Sequence, residues 1–230
     1  MSFAIPPLPP VSIEITGSTD RFPIARVFCI GRNYAEHSIE MGGNPDREEP
    51  FFFMKPATAI IPGGGDLPYP TATSELHHEV ELVVALHKGG RDIAVADAAS
   101  HVFGYGAGLD MTRRDLQAAA KKAGRPWDMA KGFDASGPVG ALVPATVSGH
   151  VTYAAIELTI NGEPRQKGNV NQMIWKTEEA IAYLSGLVEL MAGDIIFTGT
   201  PAGVGPVERG DTLHATIAGL SDLTCRVIDD

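Results

Sequence analysis

The chain has 230 residues, of which 44% are hydrophobic, and a formal net charge of −10. That length accommodates one domain, or one domain with a small appendage, and the apolar content suffices for a substantial core. The acidic balance argues against a nucleic-acid or anionic-membrane surface, where lysine and arginine must neutralise phosphate, but a few local cations leave room for an acidic small substrate.

The opening MSFAIPPLPP reads as part of an extended, proline-rich arm over residues 1–24. It has no basic stretch followed by a long apolar one, so no signal peptide is expected. No apolar run approaches the ~18 residues of a membrane span. The expectation is a soluble, cytoplasmic protein. Cys29 and Cys225 lie far apart with no CxxC, as expected of two reduced thiols.

Arg26–Ile30 is a short apolar strand ending at Gly31. Tyr34–Met41 has helical spacing and stops at Gly42-Gly43, and Asn44–Pro50 is a polar loop. Phe51–Met54 reads as a buried strand, and its phenylalanines as core or a dimer contact. Gly63-Gly64-Gly65 is a turn. His77–Leu86 is one strand with period-2 alternation at its start. Ala94–Val102 is expected as a helix, Tyr105–Met111 as a strand and Arg113–Ala123 as a helix closed by Gly124. Arg125–Pro138 reads as irregular. Ala154–Ile160 is a strand leading into the hairpin signal Asn161-Gly162. Thr177–Leu190 is the clearest helix, with Thr177 as N-cap. Asp194–Thr198, Thr212–Ile217 and Leu223–Ile228 are strands, with the loop Gly199–Pro206 after the first. Mixed elements with strands in the majority suggest an α+β fold built on β-sheets.

The tripeptide Glu79-Val80-Glu81 carries the strongest chemical signal. On a strand, residues i and i+2 share a face, so the two carboxylates stand side by side. Such a pair is costly on a buried strand unless a positive charge sits between them, and a hard divalent cation supplies it. Asp110 lies in the glycine-rich stretch GYGAGLDMT, which could bring a second strand close. Three carboxylates without a thiolate favour Mg²⁺ or Mn²⁺, or Ca²⁺, over Zn²⁺. Spacing alone leaves a solvated acidic face open, but the run Leu82–Leu86 argues for a buried strand. His77 shares the face, so a His-plus-two-carboxylate iron site stays open as well.

His37 and Glu40 stand at i and i+3 of the short helix, where a carboxylate can fix an imidazole tautomer and raise its basicity. The bland alternative is a surface pair. The helix is short, follows a glycine turn and precedes a polar loop, as a closing lid would. GYGAG and GTPAGVG both lack the lysine of a phosphate-binding loop and read as a packed strand and a turn. Trp127 and Trp175 receive no role.

The blocks VFCIGRNYAEH, FFFMKP, HHEVELVVAL, GYGAGLDMTRRD, WDMAKGFD, NGEPRQ and GDIIFTGTPAGVGP, in this order from about residue 25 to 228, resemble the fumarylacetoacetate hydrolase family. The resemblance is closest to its short members: acylpyruvate and fumarylpyruvate hydrolases, and related oxaloacetate decarboxylases. It implies a single catalytic domain over residues 25–230, a mixed β-sheet roll with a barrel-like body and peripheral helices, and a homodimer. It implies Glu79, Glu81 and Asp110 as metal ligands and His37, Glu40 and Lys131 as catalytic residues. Arg114, Gln117 and Thr200, with Arg32 and Lys55, are the implied substrate contacts. The implied activity is hydrolysis of a carbon–carbon bond in a 2,4-dioxo acid such as fumarylpyruvate, within the gentisate route of aromatic breakdown. Oxaloacetate decarboxylation, a related isomerisation or hydration, and a non-catalytic metal-binding role are the alternatives.

Overall fold

A computed structural model describes residues 3–40 and 48–229. Met41, the Gly42-Gly43 stop and most of the polar loop lie outside the described residues. Two sheets dominate. The larger has eight strands; Phe51–Lys55, Val27–Gly31, Ile195–Phe197, Val80–Leu86, Val102–Leu109, Gly137–Val139 and Ile60–Pro62 follow one another across it, and Val143–Pro144 also pairs with Val102–Leu109. The second is five-stranded, in the order Glu163–Asn169, Ala155–Ile160, Thr212–Ile217, Leu223–Ile228, Gly65–Pro68. The fold is α+β, with few and mostly short helices around mixed sheets.

The strand Val80–Leu86 shows why the sheets pack as they do. All seven residues are buried. Val80, Leu82, Val84 and Leu86 point into one core with Ile156, Leu158 and Ile217 of the five-stranded sheet. Val83 and Ala85 point into a second core on the opposite face, with Val27, Cys29, Ile195 and Phe197. Strand periodicity therefore puts Glu81 on the same face as Val83 and Ala85, at the end of that second core. The second core also takes Ile13, Phe22 and Ile24, because Ser12–Glu14 and Arg21–Pro23 form a two-stranded ribbon against it.

Several elements differ from the sequence-based expectations. The expected strand His77–Leu86 is two: Leu76–His78, which pairs with Thr112–Arg113 and Gly205–Pro206 in a small sheet, and Val80–Leu86. Glu79 sits at the break. The expected helix Ala94–Val102 is an α-turn at Val95–Ala98 and a 3₁₀ turn at Ala99–His101, and Val102 already opens the next strand, which ends at Leu109. Arg125–Pro138 holds one helical turn, Asp128–Lys131. The long C-terminal helix runs Thr177–Leu187; Lys176 is its N-cap, and Glu179 reaches back to accept the Lys176 amide at 3.0 Å. The Asn161-Gly162 turn takes positive φ at both residues (54° and 84°), the twist that a two-residue hairpin requires.

Candidate active site

The antiparallel ladder between Val80–Leu86 and Val102–Leu109 brings the carboxylates together. Its register sets Val80 opposite Leu109 and Glu81 opposite Gly108, and the Asp110 amide donates to the Glu79 carbonyl at 2.8 Å. Asp110 thus leaves its strand where Glu79 enters the neighbouring one. One carboxylate oxygen from each of Glu79, Glu81 and Asp110 lies within 4.8 Å of the others, and all three residues are buried. Among the described residues this is the group able to share one ion. His77 is not part of it: its Nδ1 faces Arg114 Nε at 3.4 Å, and burial with Arg114 holds the imidazole down at about 4. The iron alternative loses its histidine for that reason.

Cations surround the cluster. Lys131, the last residue of its helical turn, donates to Glu79 Oε2 and to Asp110 Oδ2, both at 2.7 Å. Arg114, the first residue of the helix Arg114–Ala123, donates to Glu79 Oε1 at 2.6 Å and to Gln117 Oε1, one turn on, at 2.6 Å. Lys55 lies behind Asp110. Its Nζ is 2.7 Å from Asp110 Oδ1 and donates to the Lys131 carbonyl, and its side chain is fully buried. Sequence reasoning set Lys55 at the substrate. The structure instead turns it onto a carboxylate, because the strand Phe51–Lys55 ends beneath the site.

This environment drives the carboxyl groups apart. Burial alone would raise Glu79, but Lys131 and Arg114 outweigh it and hold the group below the usual carboxylate range. Burial, then Asp110 and Glu79, holds Glu81 well above that range. Burial would lower the Lys131 ammonium, yet Asp110 and Glu79 raise it.

The same residues suit a hard divalent cation. Asp110 Oδ1 is buried and has no hydrogen-bond donor in proper geometry; Lys55 is close but misaligned. Ligand oxygens about 2.1 Å from an octahedral ion are roughly 3–4 Å apart, so the three carboxylates need to close only slightly. An all-oxygen donor set is that of Mg²⁺ or Mn²⁺.

The helix Ala35–Glu40, next after the strand Val27–Gly31, carries the imidazole. His37 is buried and its Nδ1 lies 3.2 Å from Glu40 Oε2. Glu40 in turn accepts the Gly203 amide at 3.1 Å. With Nδ1–H directed at the carboxylate, Nε2 is left as an acceptor. The loop after Ile195–Phe197 closes the opposite wall. Gly199 donates its amide to Glu81 Oε2 at 2.7 Å, at a φ of 93°; a Cβ there would lie 2.7 Å from that of Asn33. Thr200 Oγ1 donates to the Val80 carbonyl and accepts from Gln166 Nε2.

One cavity joins these groups, lined by the three carboxylates with His37, Lys131 and Thr200. Arg32, Arg114 and Gln117 also line it, so the sequence-predicted residues other than Glu40 and Lys55 line one cavity. Sequence reasoning missed Phe53, Trp127 and Lys121, which line the same cavity, and Gln166, which holds Thr200. Gln166 sits in the NGEPRQ block and is almost fully buried, a polar residue on the inward phase of a strand. Trp127 and Lys121 offered no comparable signal.

The sequence profile of the fumarylacetoacetate (FAA) hydrolase C-terminal family matches residues 26–228. A fumarylpyruvate hydrolase from Pseudomonas aeruginosa, crystallised with Mn²⁺ and pyruvate, superposes with a TM-score of 0.98 at 49% identity, covering all of both chains. A proposed fumarylpyruvate hydrolase from Burkholderia cenocepacia does so at 0.94 and 53%, again over all of both chains. The human mitochondrial oxaloacetate tautomerase is 44% identical over 201 residues, 87% of this chain and 90% of its own. The Escherichia coli oxaloacetate tautomerase is 43% identical over 208 residues, 90% and 94%. Among the described residues no helix is long and apolar enough to cross a membrane.

Proposed function

This chain belongs to the fumarylacetoacetate hydrolase family, and we propose that it hydrolyses a carbon–carbon bond in a 2,4-dioxo acid, converting fumarylpyruvate to fumarate and pyruvate. The observation that carries the reading is the buried His37, tied to Glu40 and lining the same cavity as the carboxylate cluster. A water-activating base is what hydrolysis needs and what milder chemistry on the same 2-oxo acid does not. The whole-chain similarity to a fumarylpyruvate hydrolase supports it.

A divalent cation held by Glu79, Glu81 and Asp110 would, when bound, supply Lewis-acid charge to the 2-oxo acid end of the substrate. Lys131, Arg114 and Lys55 already balance the three carboxylates. A divalent ion therefore leaves this end net positive and suited to a dianionic acid. Gly203 and Glu40 fix the tautomer of His37, whose Nε2 takes a proton from water. The water oxygen bonds to C4, the C3–C4 bond breaks, and its electron pair passes to the pyruvate fragment. Lys131 and Arg114 stabilise the negative charge that develops there. The proton then goes to C3, giving pyruvate and fumarate.

A second reading, oxaloacetate tautomerisation or decarboxylation, is favoured by the human and Escherichia coli relatives. It uses the same carboxylate cluster and no attacking water. Measuring kcat/KM for fumarylpyruvate, acetylpyruvate and oxaloacetate at fixed Mg²⁺ decides between them. The proposal expects fumarylpyruvate to rank first. Oxaloacetate ranking first, with no pyruvate released from the other two, overturns it.

A further inference from the structure

The cavity has two ends of different character. At the carboxylate end every cation is committed: Lys131 to Glu79 and Asp110, and Arg114 to Glu79. Arg32 and Lys121 line the same cavity, and among the described residues neither forms an ion pair. Among the described residues these are two cations outside any ion pair, Arg32 lying over the Phe51 ring at 5.9 Å, that face one cavity in a chain of net charge −10. They are close enough for their like charges to be felt. Burial, then Arg32 and Arg114, holds the Lys121 ammonium below its usual range. Arg32 also adopts a φ of 56°, a conformation that costs a non-glycine residue energy and that concentrates at ligand sites.

Helix geometry sets the separation of the ends. Arg114, Gln117 and Lys121 fall at i, i+3 and i+7 of the helix Arg114–Ala123, on one face. Seven residues advance about 10 Å along the axis. Arg114 marks the carboxylate end through Glu79, so Lys121 lies about two turns further along the cavity wall. The rings of Phe53 and Trp127, 6.0 Å apart, line the same cavity and offer an apolar section to a ligand.

We propose that Lys121 and Arg32 form a second anion subsite that binds the distal carboxylate of a long dicarboxylic 2-oxo acid. This rests on the reading that the acid's 2-oxo end binds at Glu79, Glu81 and Asp110. A seven-carbon diacid spans roughly 7–8 Å between its carboxyl carbons, from carbon–carbon bonds of about 1.5 Å. One hydrogen bond at each end, about 2.8 Å, closes the remaining gap. A four-carbon diacid spans only about half as far and leaves Lys121 out of reach. The subsite thus selects both the second carboxylate and the length of the chain that carries it.

The test uses two unreactive probes that differ only in the distal group, 2-oxoheptanedioate and 2-oxoheptanoate. Calorimetry with Mg²⁺ present measures their affinities for the wild type, Lys121→Gln and Lys121→Arg. The wild type should prefer the diacid by roughly tenfold to hundredfold, the factor one charged hydrogen bond carries. Lys121→Gln should lose most of that preference and Lys121→Arg should keep it. Equal affinities in the wild type, including no measurable binding of either probe, overturn the subsite, as does a full preference in Lys121→Gln. A diacid preference that depends on Lys121 in a protein that releases no pyruvate from fumarylpyruvate upholds the subsite and removes the hydrolase reading.

Discussion

Replacing Lys131 with methionine tests whether the carboxylate cluster is built around positive charge. The Lys131 ammonium is buried and bridges Glu79 and Asp110 at 2.7 Å each. Removing one partner of a buried ion pair costs about 3–5 kcal/mol, because the other charge stays buried and uncompensated. Here Arg114 still holds Glu79 at 2.6 Å and Lys55 still lies 2.7 Å from Asp110, which argues for the lower end. A loss of about 3 kcal/mol lowers Tm by roughly 6–12 °C in a chain of this size. Glu79 sets the pH dependence. Its folded carboxyl is held below the usual range, so it stabilises the fold above its unfolded value near 4.3, and that contribution fades as pH falls further. The Tm gap between wild type and Lys131→Met is therefore full from pH 7–8 down to about pH 5 and narrows only as pH falls below about 4. Mg²⁺ replaces part of the missing charge and should raise the Tm of the variant more than that of the wild type. Melting curves at two pH values, with Mg²⁺ and with chelator, read all three effects. A metal-free variant melting within 2 °C of wild type at pH 7.5, or equal Mg²⁺ stabilisation of both proteins, would refute the reasoning.

His37→Ala should lower turnover of fumarylpyruvate by roughly 10²–10⁴-fold, the usual worth of a general base, and affect oxaloacetate chemistry less; an unchanged rate on fumarylpyruvate removes His37 as the base. Burial, Asp110 and Glu79 keep the Glu81 carboxyl protonated well above the usual range, so binding a cation must expel that proton. Mg²⁺ affinity should accordingly rise with pH and its binding should release about one proton, measured by calorimetry in two buffers of different ionisation enthalpy; Glu81→Gln should abolish the release. Gln166→Leu strips partners from His78, the Val80 amide and Thr200, and should cost about 2–4 kcal/mol of stability by denaturant unfolding, since buried polar groups lose their bonds together; a cost under about 1 kcal/mol would show that water replaces them.

What the sequence disclosed depended on whether the signal was local. The apolar run after Glu81 marked a buried strand, and the glycine-rich stretch before Asp110 allowed a second strand close by; that Asp110 joins Glu79 and Glu81 was implied by the family resemblance. The break at Glu79 was not legible, because it arises when Leu76–His78 leaves for a small sheet with Thr112–Arg113 and Gly205–Pro206, residues far away in the chain. The turn Asp128–Lys131 is too short for any periodicity, although it delivers Lys131. Thr177 looked like a cap, but the helix starts one residue earlier; the Thr177 hydroxyl is buried without a hydrogen bond, while Glu179 caps Lys176. Lys55 and Lys121 show the limit of residue type. One lysine is sealed behind Asp110 and the other lines the cavity, and only tertiary packing distinguishes them.

The central claim is that Glu79, Glu81 and Asp110 hold a divalent cation on which carbon–carbon cleavage depends. The most direct measurement follows fumarate and pyruvate released from fumarylpyruvate by chelator-treated protein, before and after Mg²⁺ is restored. Turnover should be absent without metal, and fumarate and pyruvate should appear in equimolar amounts once it returns. Cleavage at the full rate in chelator, or Mg²⁺-loaded protein that leaves fumarylpyruvate intact, would contradict the claim.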